Sequence, residues 1–138
     1  MLDEAAVKSV LRRSAEGKWA YPNIFNALKN AGVERYETNV LTHEIKYVGD
    51  GSSFVETAPP GFKPLQGGAE FNVSALKLAI ARSQAREITY AEFLAEIAAA
   101  GVPFYRVDMG PRTVTYHGAN REKHVEKVPL PEKTKPAE

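Results

Sequence analysis

Three histidines have the clearest potential for acid–base chemistry at neutral pH, and they are His43, His117 and His124. No two of them are four residues apart and no HExxH motif occurs, so their spacing does not predict a metal site. His117 falls on the same face of a predicted strand pair as Asp108 and Arg106. Because a carboxylate beside an imidazole can set a general base, these three are the candidate catalytic residues. The alternative, which we favour, is a solvated cross-strand pair.

The composition is that of a globular chain and gives no electrostatic reason to expect nucleic acid or an anionic membrane as partner. Hydrophobic residues make up 43% and charged residues 25% of the 138 positions, which is typical of a chain that folds around a core. With 18 basic and 17 acidic side chains, the formal net charge is +1. The chain has no cysteine, which excludes disulfides and thiolate chemistry. We predict no metal and no cofactor.

Two glycine-containing stretches raise the question of phosphate binding. In GDGSS, 49–53, consecutive backbone amides could cradle an anion, but the lysine and the following helix of a Walker motif are missing, so a turn is favoured. QGG, 66–68, precedes a predicted helix whose N-terminus could attract an anion, and a flexible joint is the alternative. Neither stretch predicts a specific ligand.

The second half of the chain carries clear signals for two helices. Asn72 is a predicted N-cap for a helix over 73–84, in which apolar residues recur along one stripe. Thr89 and Glu92 form a predicted capping box, because each side chain can accept a hydrogen bond from the other residue's free backbone amide. Gly101 follows the last turn of this second helix, where a left-handed glycine ends a helix with little strain.

Two strands and a turn follow in the second half, and the first half repeats the plan. VPFYRVDM and TVTYHG alternate as strands do, and GPR at 110–112 supplies the turn between them. The first half predicts the same order in helices over 3–14 and 22–31 and strands over 33–40 and 44–49.

The two halves are also related in sequence. When residues 7–49 are aligned with 76–118 without gaps, ten of 43 positions are identical, whereas unrelated segments match at about two or three. The identical positions include the tripeptide AGV and three tyrosine pairs, Tyr21/Tyr90, Tyr36/Tyr105 and Tyr47/Tyr116. We interpret the match as an old internal duplication. The alternative is two similar helix–strand junctions that arose independently.

These elements predict an α+β fold made by internal duplication of a helix–helix–β-hairpin unit. Two units would form a four-stranded antiparallel sheet with helices packed on one face, because one hairpin with two helices buries too little surface. We expect a single domain over 1–126, made of repeats 1–56 and 70–126 that a Pro/Gly-rich linker, 57–69, joins. Residues 127–138 are polar and proline-bearing and are expected to form a disordered tail.

Alternation along the strands sorts their side chains onto two faces. The face predicted to pack against the helices, the tyrosine face, carries Tyr36, Thr38, Val40, Ile45, Tyr47, Tyr105, Val107, Met109, Val114 and Tyr116. The other face is polar and carries Glu37, Asn39, Lys46, Arg106, Asp108, Thr115 and His117. Tyr47 and Tyr116 are candidates for stacking on a ligand. We favour the alternative that they are amphipathic core residues.

The second half resembles a known family in three consecutive motifs. The segment TYAEFLAEIAAAGVPFYRVDMGPRTVTYHG, 89–118, contains T-[FY]-x-E-F-L, then A-G-V-x-x-Y-x-V-D, then R-x-V-T-Y-x-G. These motifs are similar to those of domain-of-unknown-function family 1398, the small bacterial and prophage proteins of YbcV and YdfO type. Some members carry a phage envelope protein label. The residues that match are Thr89, Tyr90, Glu92, Phe93, Leu94, Ala100, Gly101, Val102, Tyr105, Val107, Asp108, Arg112, Val114, Thr115, Tyr116 and Gly118.

The closing motif of that family, G-x-x-G-x-[YF]-V-E, is better kept in the first half of the chain. It matches there at Gly49, Gly51 (one place off), Phe54, Val55 and Glu56, whereas GANREKHVE in the second half lacks the second glycine. The resemblance covers nearly the whole chain, including its duplicated plan. It implies no mechanism and no catalytic residues.

Taken together, the sequence favours a small non-enzymatic binding or regulatory module that presents a polar sheet face or a central groove to a partner. The candidates for this partner are another protein and, as a homodimer, a second copy of the chain. The alternative is an enzyme or small-molecule binder that uses Asp108, His117 and Arg106, which would need a concave pocket. Nucleic-acid binding is not favoured, since it would need a basic surface formed by Lys8, Arg12, Arg13, Lys77 and Arg82.

The sequence also gives an expectation for location. No apolar run approaches the ~20 residues of a membrane span, and the first residues lack the pattern of a secretory signal. We therefore expect a cytoplasmic protein with no membrane partner.

Overall fold

Two sets of elements with the same order follow one another along the chain, in a computed structural model that describes residues 2–17, 21–58, 60–68 and 70–128. Each set runs helix, helix, strand, strand, strand. The first set is α1 (Glu4–Gly17), α2 (Tyr21–Asn30), β1 (Arg35–Asn39), β2 (Ile45–Gly49) and β3 (Ser52–Glu56). The second set is α3 (Val73–Gln84), α4 (Tyr90–Ala99), β4 (Phe104–Asp108), β5 (Thr113–His117) and β6 (Lys123–Lys127).

The strands form one six-stranded antiparallel sheet in the order β3-β2-β1-β4-β5-β6. The α+β class is as predicted, but the prediction of four strands is wrong, because β3 and β6 add one strand at each edge. Both missed strands are five residues long, SSFVE and KHVEK. Their few apolar residues give too weak an alternation to predict a strand.

The GDGSS stretch forms the connection between β2 and β3. Asp50 and Gly51 both have positive φ, 50° and 76°. Two such residues in succession make the tight hairpin turn whose twist matches that of the strands it joins. The favoured interpretation of this stretch as a turn is confirmed.

The pairing of β1 with β4 lies at the centre of the sheet and joins the two sets of elements. Glu37 is opposite Arg106 at the middle of this pairing, and Arg35 is opposite Asp108. The backbone amide of Met109 donates to the Glu34 carbonyl at 3.0 Å beyond one end of the pairing.

The tyrosine face is the buried one, as predicted. The four strand tyrosines are no more than 7% exposed, and Thr38, Val40, Val107 and Met109 are almost completely covered. The helices supply the other side of this core through Val7, Val10, Phe25, Leu28, Leu76, Ala79, Ile80, Phe93, Leu94, Ile97 and Ala98. Burial of one stripe per helix follows the amphipathic pattern of the sequence.

The helix ends in the second set have the predicted caps. The backbone amide of Glu92 donates to the Thr89 hydroxyl at 3.1 Å, and the Thr89 amide donates to the Glu92 carboxylate at 2.8 Å. Asn72 accepts from the amide of Ala75 at 3.0 Å. Gly101 has a φ of +87° after α4, and a Cβ placed there would lie 2.2 Å from the carbonyl oxygen of Glu70.

The C-terminal end of the described chain is part of the folded unit. β6 ends at Lys127, and Val128 is buried with its amide donating to the Arg112 carbonyl at 2.9 Å. The remainder of the predicted tail, 129–138, lies outside the described residues, as do positions 59 and 69 of the predicted linker. Within the described ranges, no helix is long and apolar enough to cross a membrane.

Replacing Gly101 with alanine is expected to destabilise the fold by at least about 2 kcal/mol, because the change adds both a left-handed strain and a backbone clash. Chemical denaturation of Gly101→Ala measures the loss. Gly110→Ala is the matched control, since a Cβ at Gly110 meets no atom within 4 Å. Equal stability of the two variants would contradict this account of the α4 terminus.

Candidate functional site

The sheet face that points away from the helices, here called the open face, is the candidate functional surface. Its side chains follow from the strand register, and none of them is buried. They are Arg35, Glu37, Asn39, Lys46, Val48, Ser53, Val55, Phe104, Arg106, Asp108, Thr113, Thr115, His117, Lys123, Val125 and Lys127. Three apolar members are exposed, Phe104 at 37%, Val55 at 54% and Val125 at 50%.

Opposite charges are interleaved at the centre of the open face. Glu37 on β1 lies between Lys46 on β2 and Arg106 on β4. The Nε of Arg106 donates to Asp108 at 3.2 Å, and Asp108 lies opposite Arg35. The central strands therefore carry alternating acidic and basic groups, which is an arrangement that can pair with a complementary surface.

The structure brings together two of the three candidate catalytic residues and leaves the third apart. Arg106 and Asp108 form the ion pair described above, with both side chains partly exposed. Asp108 lies opposite Thr113, which is four residues before His117 on β5. Four residues of strand span about 13 Å, so the carboxylate and the imidazole do not form an acid–base pair.

His117 contacts an aromatic ring instead of a carboxylate. It lies opposite Phe104, and the two rings stack with centroids 4.6 Å apart and planes 9° apart. Phe104 is two residues before Arg106 and so shares its face, a relation that strand alternation could have revealed. The exposed valines at the sheet edges could not be found in this way, because β3 and β6 were not predicted.

A shallow depression lies on the open face beside Phe104. It combines an aromatic and an aliphatic wall with groups of both charges, and its lining residues are Glu37, Thr38, Asn39, Leu41, Glu44, Lys46, Val55, Pro103 and Phe104. Mixed apolar and polar linings of this kind are usual in small-molecule sites, although such sites are normally more enclosed.

The two candidate ligand-stacking residues, Tyr47 and Tyr116, lie on the covered side of the sheet. Tyr47 is 1% exposed and stacks on Phe54 at a centroid distance of 5.2 Å. Tyr116 is 6% exposed and meets Phe93 edge to face at 6.4 Å. Their partners are other side chains of the core, so a ligand would reach neither ring from the open face.

The six tyrosines of the protein form two kinds of position in one layer: the four strand tyrosines are buried beneath the helices, whereas Tyr21 and Tyr90 begin α2 and α4 and are 36% and 43% exposed. The hydroxyls of Tyr21 and Tyr36 are hydrogen-bonded to each other, and those of Tyr90 and Tyr105 form the equivalent bond at 2.6 Å. Sequence reasoning placed the strand tyrosines but missed their helical partners. The available signal was that Tyr21 and Tyr90 are also identical between the halves, each 15 residues before its partner.

Burial raises the pKa of every one of these tyrosine hydroxyls above its ordinary value, and the groups concerned are Tyr21, Tyr36, Tyr47, Tyr90, Tyr105 and Tyr116. An ionised phenol would have to lose its hydration inside the core. The cluster is therefore neutral throughout the physiological pH range and stabilises the core through packing and hydroxyl hydrogen bonds.

Two of the basic side chains that nucleic-acid binding would need are paired with carboxylates within the described structure. Lys8 pairs with Glu4 at 3.1 Å, and Arg82 pairs with Glu96 at 2.8 Å. Within the described residues, no group of three or more His, Asp or Glu side chains is placed to hold a metal ion.

Alkaline pH is expected to unfold the protein through its strand tyrosines. An unfolded tyrosine ionises near pH 10, whereas the folded state keeps its protons, so the free energy of unfolding falls as pH rises above about 10. Each strand tyrosine contributes about 1.4 kcal/mol per pH unit there. Tyrosinate absorbance and loss of circular dichroism should appear in one transition. In Tyr116→Phe, the free energy of unfolding should fall less steeply with pH, by the equivalent of about one proton released on unfolding. Complete ionisation of the tyrosines without any change in circular dichroism would contradict the burial of the strand tyrosines.

Comparison with known proteins identifies the family and leaves the activity open. The sequence matches the family described as "Protein of unknown function (DUF1398)" over residues 8–127. No curated protein matches the chain. The match includes both helix pairs almost completely and all six strands. The chain therefore belongs to the DUF1398 family.

Proposed function

We propose that this protein is a non-enzymatic interaction module, and that the open face is the surface that binds its partner. The observation that carries the proposal is the unburied face of a six-stranded sheet with alternating charges at its centre. Exposed apolar side chains at both edges, Val55 and Val125, enlarge this surface. A surface that combines exposed apolar groups with paired charges is typical of protein–protein contacts.

The arrangement of the candidate catalytic residues supports binding over catalysis. Catalytic groups must converge on one reacting atom. Asp108 is engaged by Arg106, and His117 is stacked on Phe104 at a distance from both of them along the sheet. These contacts give the face a defined shape and charge pattern, which a binding surface requires.

We further propose that the module arose by internal duplication and acts in the cytoplasm as one domain, with repeats over 1–56 and 70–126 and with Lys127 and Val128 included in its folded unit. The repeated order of elements supports this origin. So does the register at the centre of the sheet, where Glu37 lies opposite Arg106, its own counterpart in the aligned halves. The equivalent positions carry opposite charges, so divergence of the halves has made the open face complementary across its middle.

Affinity capture with three forms of the full chain tests the proposed binding surface. The baits are the wild type, Arg106→Glu on the open face and Lys77→Glu on the exposed side of α3, which makes the same charge change elsewhere. A partner of the open face should be retained by the wild type and by Lys77→Glu and lost from Arg106→Glu. The purified partner should then bind Arg106→Glu at least about tenfold more weakly, because a like charge replaces a complementary one.

The proposal is contradicted if that purified partner binds all three forms equally. It is also contradicted if every captured protein is retained equally by the three baits. Thermal unfolding of each bait is the folding control. A loss of binding counts only when the midpoint of Arg106→Glu stays close to that of Lys77→Glu.

A second candidate function, small-molecule binding, is favoured by the depression beside Phe104. The aromatic wall would stack on a planar ligand, with Lys46 and Glu37 available for polar contacts. A thermal-shift screen with metabolites and nucleotides tests it, since a ligand at 100 times its Kd adds about 2.7 kcal/mol of stability. A shift that Phe104→Ala abolishes and Leu78→Ala on α3 retains would support this function. A screen without any such shift would contradict it.

A further inference from the structure

We propose that the partner of the open face is a second copy of this chain, packed face to face about a two-fold axis that runs parallel to the strands midway between β1 and β4. This inference rests on the proposed function, because it names the occupant of the same surface. It is carried by the charge pattern of the open face, which is complementary to itself under this one rotation.

The rotation follows directly from the strand order. Turning a second sheet over about an axis parallel to the strands places its β1 above β4 and its β4 above β1. Residues of β1 and β4 that are opposite each other in the sheet then also lie above each other between the copies. Glu37 of one copy faces Arg106 of the other, and Arg35 faces Asp108. Each pair occurs twice, because a two-fold interface repeats every contact.

The other face-to-face arrangement of two identical sheets is electrostatically unfavourable. An axis across the strands would place Glu37 above Glu37 and Arg106 above Arg106. Like charges held together in an interface oppose association. The charges of the central strands therefore select one orientation of the second copy.

Apolar side chains at the edges supply the burial that ion pairs alone do not provide. Val55 and Val125 lie at opposite ends of the row that passes through Glu37 and Arg106, and each is about half exposed. The rotation brings the β3 edge of one copy to the β6 edge of the other. Aligned sheets pack with about 30° between their strands, so the edge contacts shift along the strands while the central pairs stay in register.

The size of the face predicts a reversible dimer. Six strands about 4.8 Å apart, with five residues each, give a flat footprint of roughly 500 Å². A stable interface of ordinary size buries about 800 Å² of accessible surface on each partner. Desolvation of the central charges offsets much of their attraction, so association should depend strongly on protein concentration.

Sedimentation of the full-length wild type from micromolar to millimolar concentration is the first measurement, and we expect a concentration-dependent monomer–dimer equilibrium. Glu37→Arg and Arg106→Glu should each weaken dimerisation by at least about 100-fold, because each reversal creates two like-charge contacts. Lys77→Glu on α3 is the matched charge control and should leave the equilibrium unchanged.

Mixing the two reversal variants in equal amounts gives the decisive result. The introduced arginine of one chain then faces the introduced glutamate of the other, and the unchanged pair on the opposite side is also complementary. Dimerisation should return to within about tenfold of the wild type. Mixing leaves the neighbours of each residue within its own chain unchanged, so the recovery reports contact between chains and cannot arise from a repaired fold.

Three outcomes would overturn the inference. They are a wild type that stays monomeric at all concentrations, a dimer that neither reversal weakens, and a mixture of the two variants that stays monomeric. If the wild type is monomeric and a captured protein still loses binding to Arg106→Glu, the open face binds a different partner, and the proposed function stands without a second copy.

Discussion

The antiparallel pairing of β1 with β4 is the interaction on which the rest of the structure depends. It joins two three-stranded sheets into one six-stranded sheet, and a single core lies between that sheet and all four helices. The register of this pairing also keeps the inward side chains of both strands on one face, because a slip of one residue would turn every side chain of the slipped strand to the opposite face. A slip of β1 would take Tyr36 out of the core and put Glu37 into it.

The two sets of elements are also interlocked through their hairpin turns. His43 and Arg112 occupy the corresponding turns, both with positive φ. The ring of His43 lies 5.5 Å from that of Tyr90 on α4, and the guanidinium of Arg112 lies 4.5 Å from the ring of Phe25 on α2. Each turn thus packs against the second helix of the other set, so neither set completes its core alone.

The two faces of the sheet use polar groups in opposite ways. Beneath the helices, tyrosine hydroxyls bond to each other, which lets large amphipathic side chains fill the core without leaving their polar ends unpaired. On the open face, Arg106 and Asp108 form an ion pair with both side chains partly exposed. Pairs of this kind add little to the stability of the fold. Their arrangement matters for recognition, where the orientation of a partner depends on complementary charge.

Local patterns in the sequence were sufficient for the helices, their caps and the sorting of the inner strands. The capping box at Thr89 and Glu92, the left-handed Gly101 and the buried tyrosine face all rest on contacts within a few residues or on strict alternation. The edge strands were missed, because SSFVE and KHVEK become strands through pairing with β2 and β5 and carry little signal of their own.

The candidate site shows the same division between sequence and tertiary structure. Alternation placed Arg106, Asp108 and His117 on one face, as the structure has them, but it could not give their positions along the sheet. That spacing depends on which residue of β4 lies opposite which residue of β5, a long-range choice that separates Asp108 from His117 and stacks His117 on Phe104. The sequence by itself determined which side chains could reach the open face. Only the register between distant strands decided which of them meet, because pairing partners are selected by the packing of the whole core.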